Sequence, residues 1–196
     1  MLSYKVTLVI TSINLFLVLA SLIMGRLRTK RGTVKVEGKR FLHIMNYWPA
    51  MICYPYLAYM ITAYVQRHAF MVNAFPKPLS VQLFGIVIFA LGILIYVSSI
   101  FSLGKNWSVA LDVKEGQEVV NTGWYQYIRH PIYSALILMM FGIGFLALSY
   151  LVTACAALNL VYYYFRAKNE QNFLSANLNG YPEYMKKSKM FVPLIF

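Results

Sequence analysis

The sequence predicts an all-α integral membrane protein with five transmembrane helices, and three observations carry that prediction. Hydrophobic residues make up 60% of the 196-residue chain and charged residues only 12%, against about 25% charged in ordinary soluble domains. Uncharged runs long enough to cross a bilayer recur along its length. The Lys and Arg residues behind the net charge of +12 border these runs instead of spreading through them. That is the pattern of membrane topology and anionic-lipid contact, so no nucleic-acid partner is expected.

The length suits one domain spanning residues 1–196, with three helices in 1–103 and a polar connection, a helical hairpin and a tail in 104–196. The first span, 6–24, follows Lys5 and precedes a dense basic cluster; its apolar core exceeds that of a signal peptide, so a retained helix is expected. Arg26, Arg28, Lys30, Arg31, Lys35, Lys39 and Arg40 follow, broken up by Gly25, Gly32 and Gly38 into a loop, with a short interfacial helix as the alternative for part of it. In the second span, 44–65, Pro49 and Pro55 kink the helix, and Tyr47, Trp48 and Tyr64 supply an aromatic belt at its ends. The third span covers Leu79–Leu103; Gly85 and Gly92 stand seven residues apart, on one face suited to close helix packing.

From 104 to 131 the chain is polar, with turns at 114–116 and 121–123 and a short extended piece at 117–120. A connection of this length is usually functional. Proline suits the first turn of a helix, and the residue before it is biased away from helical backbone. His130 is therefore expected to cap a helix beginning at Pro131, beside backbone N–H groups that can receive an anion. Residues 132–165 then carry no charge. At roughly 20 residues per crossing, this run is too long for one untilted span and short for two. A tight hairpin of fourth and fifth helices, with Gly142, Gly144, Ser149 and Tyr150 near its middle, is the economical reading, and one long tilted helix is the alternative. The tail, 166–196, is amphipathic, with Gly180 and Pro182 expected to end a helix.

With five spans, Lys5, Arg67 and Lys77 lie on one side and every other Lys and Arg on the other. The positive-inside rule then places the N-terminus outside and the polar connection and tail together at the cytoplasmic face of a multi-pass protein of the cytoplasmic membrane. Two clusters thereby share a face: the 121–133 segment, and the helical stripe Asn159, Tyr163, Arg166 and Glu170. Ionisable groups at the edge of a membrane span are costly unless paired or facing water. At a helix start His130 favours the neutral imidazole. Cys53, Cys155 and the histidines show no metal-ligand spacing, so no metal is expected. No glycine-rich nucleotide loop is present.

In order, the motifs are Asn106-Trp107-Ser108, Val120-Asn121-Thr122-Gly123-Trp124-Tyr125, Arg129-His130-Pro131-x-Tyr133, Arg166-x-x-x-Glu170, Glu183-Tyr184 and Val192-Pro193. From 104 to the C-terminus this ordered set resembles the isoprenylcysteine carboxyl methyltransferases, especially their small five-helix prokaryotic relatives. The resemblance implies an S-adenosylmethionine-dependent membrane enzyme with 104–196 as its cofactor-binding and catalytic region. The connection and the C-terminal helix would form the cofactor pocket. Carried over by position, it implies cofactor contacts at Gln117, Glu118, Val119, Val120, Tyr125, His130, Pro131, Ile132, Tyr133 and Glu170. Arg166 would be the catalytic and substrate-binding residue, facing the carboxylate of a lipid-embedded, lipophilic acceptor. The chain departs from the family at Gln117, where many eukaryotic members have histidine, at Glu170-Gln171, often two acids, and at Asn179-Gly180, often Phe-Gly. A phospholipid N-methyltransferase is the nearest alternative. A nicotinamide-dependent membrane reductase with a similar Arg-His-Pro-x-Tyr string and a non-catalytic transporter remain open; a transporter would favour charges at mid-membrane.

Overall fold

The computed structural model of the protein describes residues 79–107, 113–114, 116–148 and 150–193, together with helical positions 9, 10, 12, 13, 16, 20 and 23 and the pair 33–34. The expected second span, with Pro49 and Pro55, lies outside the described residues, as does most of the first span and of the basic loop. From residue 79 onward the described part holds four helices: α1 (Leu79–Leu103), α2 (Pro131–Ala147), α3 (Tyr150–Asn177) and α4 (Tyr181–Lys187). One departure from an all-helical reading is a minimal antiparallel pair, β1 (Thr33–Val34) against β2 (Val113–Lys114), with Thr33 opposite Lys114. It ties the basic loop to the polar connection. The extended pairing thus falls before residues 117–120, which carry no regular structure.

The expected third span matches α1, which continues into a 3-10 turn at Gly104–Asn106. Among the described residues this is the one helix long and apolar enough to cross a membrane by length and composition. Leu83, Phe84, Val87, Leu91, Leu94 and Phe101 are exposed along it, as lipid-facing positions are. The opposite face packs on α2. A Cβ on Gly85 would lie 2.7 Å from the Leu146 nitrogen and 2.8 Å from the Gly142 carbonyl oxygen, and a Cβ on Gly142 would lie 2.8 Å from the Gly85 oxygen. A Cβ on Gly92 would meet the Met139 side chain at 2.6 Å. The glycines thus let two backbones touch, and Phe89, Ile95, Tyr96, Ala135, Met139, Ile143 and Val152 fill the core around them.

The uncharged run folds as a hairpin of α2 and α3, as its length predicts. Its glycines are packing residues and not the turn itself: Gly142 meets α1, and Gly144 meets Thr153 of α3. The turn instead uses buried Leu148 in left-handed backbone, φ 52°. Gln82 of α1 donates from Nε2 to the Leu146 carbonyl at 3.1 Å, satisfying one of the acceptors that a helix C-terminus leaves open.

At the other end α3 outruns its apolar stretch. Its polar half carries α4, whose Tyr181 and Tyr184 cluster with the preceding Leu178, flanked by Val113, Val119, Leu174 and Met185. Pro182 lies in the first turn of α4 and opens that helix instead of ending the preceding one. A proline lacks the N–H that a first turn leaves unpaired anyway, which is why it fits there.

Candidate active site

Residue 130 is the N-cap of α2 and Pro131 its first residue, so the local rule for proline holds. What fixes this corner is the tail. Arg129 and His130 donate their backbone N–H groups to the carbonyls of Lys189 and Met190 at 2.8 and 3.1 Å, and the Lys189 N–H donates to Tyr127 O at 2.9 Å. The Arg129 guanidinium donates to the carbonyls of Met185, at 3.0 Å, and Ser188, capping the C-terminal end of α4. Ser134 Oγ donates to Phe191 O at 2.7 Å, and Tyr184 OH to Tyr125 O at 2.6 Å. Burial lowers the Arg129 pKa, against the nearby Tyr181 and Tyr184 hydroxyls.

Behind this clamp the side chains of α2 and α3 form one polar network. Tyr133 OH donates to Glu170 Oε2 at 2.7 Å and accepts from Arg166 Nε at 2.9 Å. Arg166 Nη1 donates to Tyr162 OH at 3.0 Å, and the guanidinium carbon lies 5.8 Å from the centre of the Tyr133 ring. His130 stacks on Tyr133, with centroids 5.3 Å apart and planes 2° from parallel, and Tyr133 in turn stacks on Tyr163 at 5.0 Å. Gln171 Nε2 lies 2.9 Å from His130 Nε2, and His130 Nδ1 lies 3.8 Å from Glu170 Oε2. The stripe read from the sequence therefore faces inward: Asn159 and Tyr163 are buried, while Arg166 and Glu170 are partly buried.

Burial pushes the His130 imidazole down to about 4, opposed by the Glu170 carboxylate and reinforced by Arg129 and Arg166. It is neutral at physiological pH, as its place at a helix start suggests. The Tyr125 and Tyr181 phenols are pushed up, first by burial and then by the field of Glu170, so both stay protonated around the same carboxylate. Tyr184 is pushed up to about 12, chiefly by burial.

Of the sequence-predicted positions, His130, Tyr133, Arg166 and Glu170 meet directly, and Tyr125 joins them through the field of Glu170. Pro131 is buried at the helix start. Ile132 packs instead on the α1–α2 core, so its side chain is not part of the polar network. Val119 packs against the α4 cluster. Gln117 and Val120 are half-buried and Glu118 is exposed, in a strand-free stretch adjoining that cluster. Sequence reasoning gave Gln171 no role in the site, noting it only beside Glu170, and overlooked Tyr162 and Tyr181. A signal for two of them exists: Tyr162 precedes Arg166 by one helical turn, and Gln171 follows Ala167, which is fully buried, by another.

The model of the phospholipid methyltransferase family matches residues 81–179, half of the chain. The chain belongs to the phospholipid methyltransferase family. This is the same membrane methyltransferase family as the isoprenylcysteine carboxyl methyltransferases that its motifs resemble, and membership together with the apolar α1 marks a membrane protein. The family match takes in α1, α2 and α3 with all of the polar network, and ends before α4 and the tail clamp. The chain is also similar to the cobalt-zinc-cadmium resistance protein CzcN of Cupriavidus metallidurans, at 28% identity over 97 residues, 48% of this chain and 45% of that protein. The chain thus matches less than half the length of this relative.

Proposed function

We propose that the protein transfers a methyl group from S-adenosylmethionine to a carboxylate carried on a lipophilic acceptor, in the manner of an isoprenylcysteine O-methyltransferase. The observation that carries this reading is the Arg166–Tyr133–Glu170 chain, which sets a cation and an anion on either side of one tyrosine hydroxyl at the polar end of an apolar hairpin. The donor set fits the cofactor. Glu170, with 29% of its side chain exposed, offers an acceptor for ribose hydroxyl or ammonium protons. The first N–H groups of α2 suit a carboxylate, and the buried tyrosines supply flat apolar surface.

When bound, S-adenosylmethionine supplies an electrophilic methyl group on a sulfonium. The protein's residues then have three tasks. Arg166, held by the Tyr133 and Tyr162 hydroxyls, pairs with the acceptor carboxylate and aligns it. Glu170 binds and orients the cofactor through the oxygen that Tyr133 does not occupy. The tail clamp excludes water from the start of α2. No general base is required, since a carboxylate attacks without losing a proton. Leu158, Val161 and Phe165, exposed on α3 just before Arg166, give a lipid-borne acceptor a sideways approach from the bilayer. The topology that accompanies this reading has five spans, the N-terminus outside and the site cytoplasmic. The cofactor-binding and catalytic region is 104–196 of a single domain.

The test is a titration of the detergent-solubilised full chain with S-adenosylhomocysteine and, separately, with NADPH, followed by methylation assays on a farnesylated cysteine and on phosphatidylethanolamine vesicles. Saturable binding of S-adenosylhomocysteine, lost in Glu170→Ala, with methylation of the farnesylated cysteine is expected. Binding of NADPH alone would sink the methyltransferase reading. N-methylation of phosphatidylethanolamine alone would move the acceptor from carboxylate to amine.

A further inference from the structure

Gln171 is buried, with 5% of its surface exposed, and its amide nitrogen lies 2.9 Å from Nε2 of His130, which is equally buried. An amide nitrogen can only donate, so Nε2 must accept and the imidazole proton must sit on Nδ1. Nδ1 faces Glu170 Oε2 at 3.8 Å. The reversed amide would place the Nδ1 lone pair against that carboxylate, so Glu170 and Gln171 select the same tautomer from opposite edges of the ring. Oε2 therefore accepts a hydrogen bond from the Tyr133 hydroxyl at 2.7 Å and faces the Nδ1–H at 3.8 Å, an electrostatic contact. The Tyr133 ring lies parallel to the imidazole, with centroids 5.3 Å apart. The Tyr133 hydrogen bond is made to Oε2, which leaves Oε1 as the oxygen for a ligand.

We propose that Gln171 is a positioning residue: its amide holds His130 in the neutral Nδ1–H tautomer, and through that tautomer orients the Glu170 carboxylate that receives the cofactor. The function of that carboxylate rests on the reading above; the tautomer does not. The charged and titratable groups that act on the ring are Glu170 and Arg166 from α3, Arg129 from the preceding segment and Tyr133 from α2 itself. The tail adds the Met190 carbonyl, on the backbone N–H of His130, and the Phe191 ring at 6.0 Å. Gln171 sits between them as the neutral donor. An acid at this position would turn the same contact into an acceptor and call for a proton on Nε2 as well.

The experiment is nitrogen NMR of histidine-labelled full chain in detergent, read at His130 by difference with His130→Asn, alongside S-adenosylhomocysteine affinity from pH 5 to 8. In the wild type the expected signature is a neutral ring protonated at Nδ1 at pH 7, with affinity flat across the range. Gln171→Glu is expected to give the imidazolium at pH 7 and to make affinity pH-dependent between about pH 6 and 8. Gln171→Met, similar in volume but without the donor, is expected to mix the two neutral tautomers and weaken binding about three- to tenfold. A wild-type ring protonated at Nε2 overturns the proposal even if neither variant folds. So does Gln171→Met with an unmixed Nδ1–H ring, or Gln171→Glu with the wild-type ring and pH profile. Wild-type chain that binds no S-adenosylhomocysteine, yet shows the Nδ1–H ring, fails the methyltransferase reading and leaves the tautomer standing.

Discussion

At its Leu148 end the α2–α3 hairpin closes among apolar neighbours, with Gln82 of α1 donating to one carbonyl, that of Leu146. At its His130 end the same two helices hold a continuous polar network from Tyr162 through Arg166, Tyr133 and Glu170 to His130 and Gln171, under a tail that hydrogen-bonds the connecting segment. The difference follows from what each end must bury. The Leu148 end lies within the uncharged run 132–165 and so has no charged side chain to satisfy. The His130 end must hold ionisable groups at the border of an apolar hairpin, which is tolerable only if each is paired. Polar pairing on this scale at one end and not the other is what makes the His130 end the functional candidate.

The largest effect that would break this comparison is on activity. Under the proposed reading, Arg166→Ala should lower kcat/KM for the farnesylated cysteine roughly 100- to 1,000-fold while S-adenosylhomocysteine affinity, measured by calorimetry, stays within about threefold. Equal losses in both would mean that Arg166 holds the fold of the site and not the acceptor.

Next comes acid sensitivity at the His130 end. The ring titrates at about 4 in the folded protein and at 6.5 when free of the fold. Between these values the unfolded chain binds the extra proton. The stabilisation is therefore fully present above about pH 6.5 and is lost as pH falls toward 4, up to about 3 kcal/mol. Melting curves at pH 7 and pH 5 should show a steeper drop for wild type than for His130→Asn; parallel drops would rule out a buried neutral histidine.

Gly142→Ala tests the apolar seam shared by both ends. Its new methyl would meet the Gly85 carbonyl and Phe89 at 2.8 Å, so a loss of about 1–3 kcal/mol is expected in detergent unfolding. A smaller effect is expected from Tyr133→Phe, which removes the hydroxyl bridging Arg166 and Glu170: about 1 kcal/mol, seen as weaker S-adenosylhomocysteine binding with the melting temperature nearly unchanged. Smallest is Gln82→Leu at the other end, costing under about 1 kcal/mol of stability and leaving binding untouched. If Gln82→Leu disturbed binding more than Tyr133→Phe, the contrast between the two ends would be wrong.

Much of the fold was legible along the chain because its signals are local. The unbroken apolar run of α1, the Gly85/Gly92 face, the start of α2 at Pro131 and the hairpin length in 132–165 each follow from composition, spacing or one residue's backbone restrictions. The proline rule was right at 131 and misapplied at 182, where the proline opens α4. The same residue type marks a helix start or follows a helix end, and only the neighbouring packing tells which. Gly142 and Gly144 marked the middle of the uncharged run, but only the structure shows that they pack on Gly85, Phe89 and Thr153.

By itself, then, the sequence determined that an apolar helical hairpin exists, where α2 begins, and that the motifs carrying His130, Tyr133, Arg166 and Glu170 mark one candidate site. Only the tertiary structure decided how those residues connect. It put a tyrosine hydroxyl from α2 between an arginine and a glutamate of α3, brought Gln171 against the far edge of His130, and laid the tail along the Tyr127–His130 backbone through the Ile128–Lys189 pairing. Helical periodicity states which residues share a face. It cannot state which face of another helix they meet, or at what height, because that depends on packing between segments that are distant in the chain.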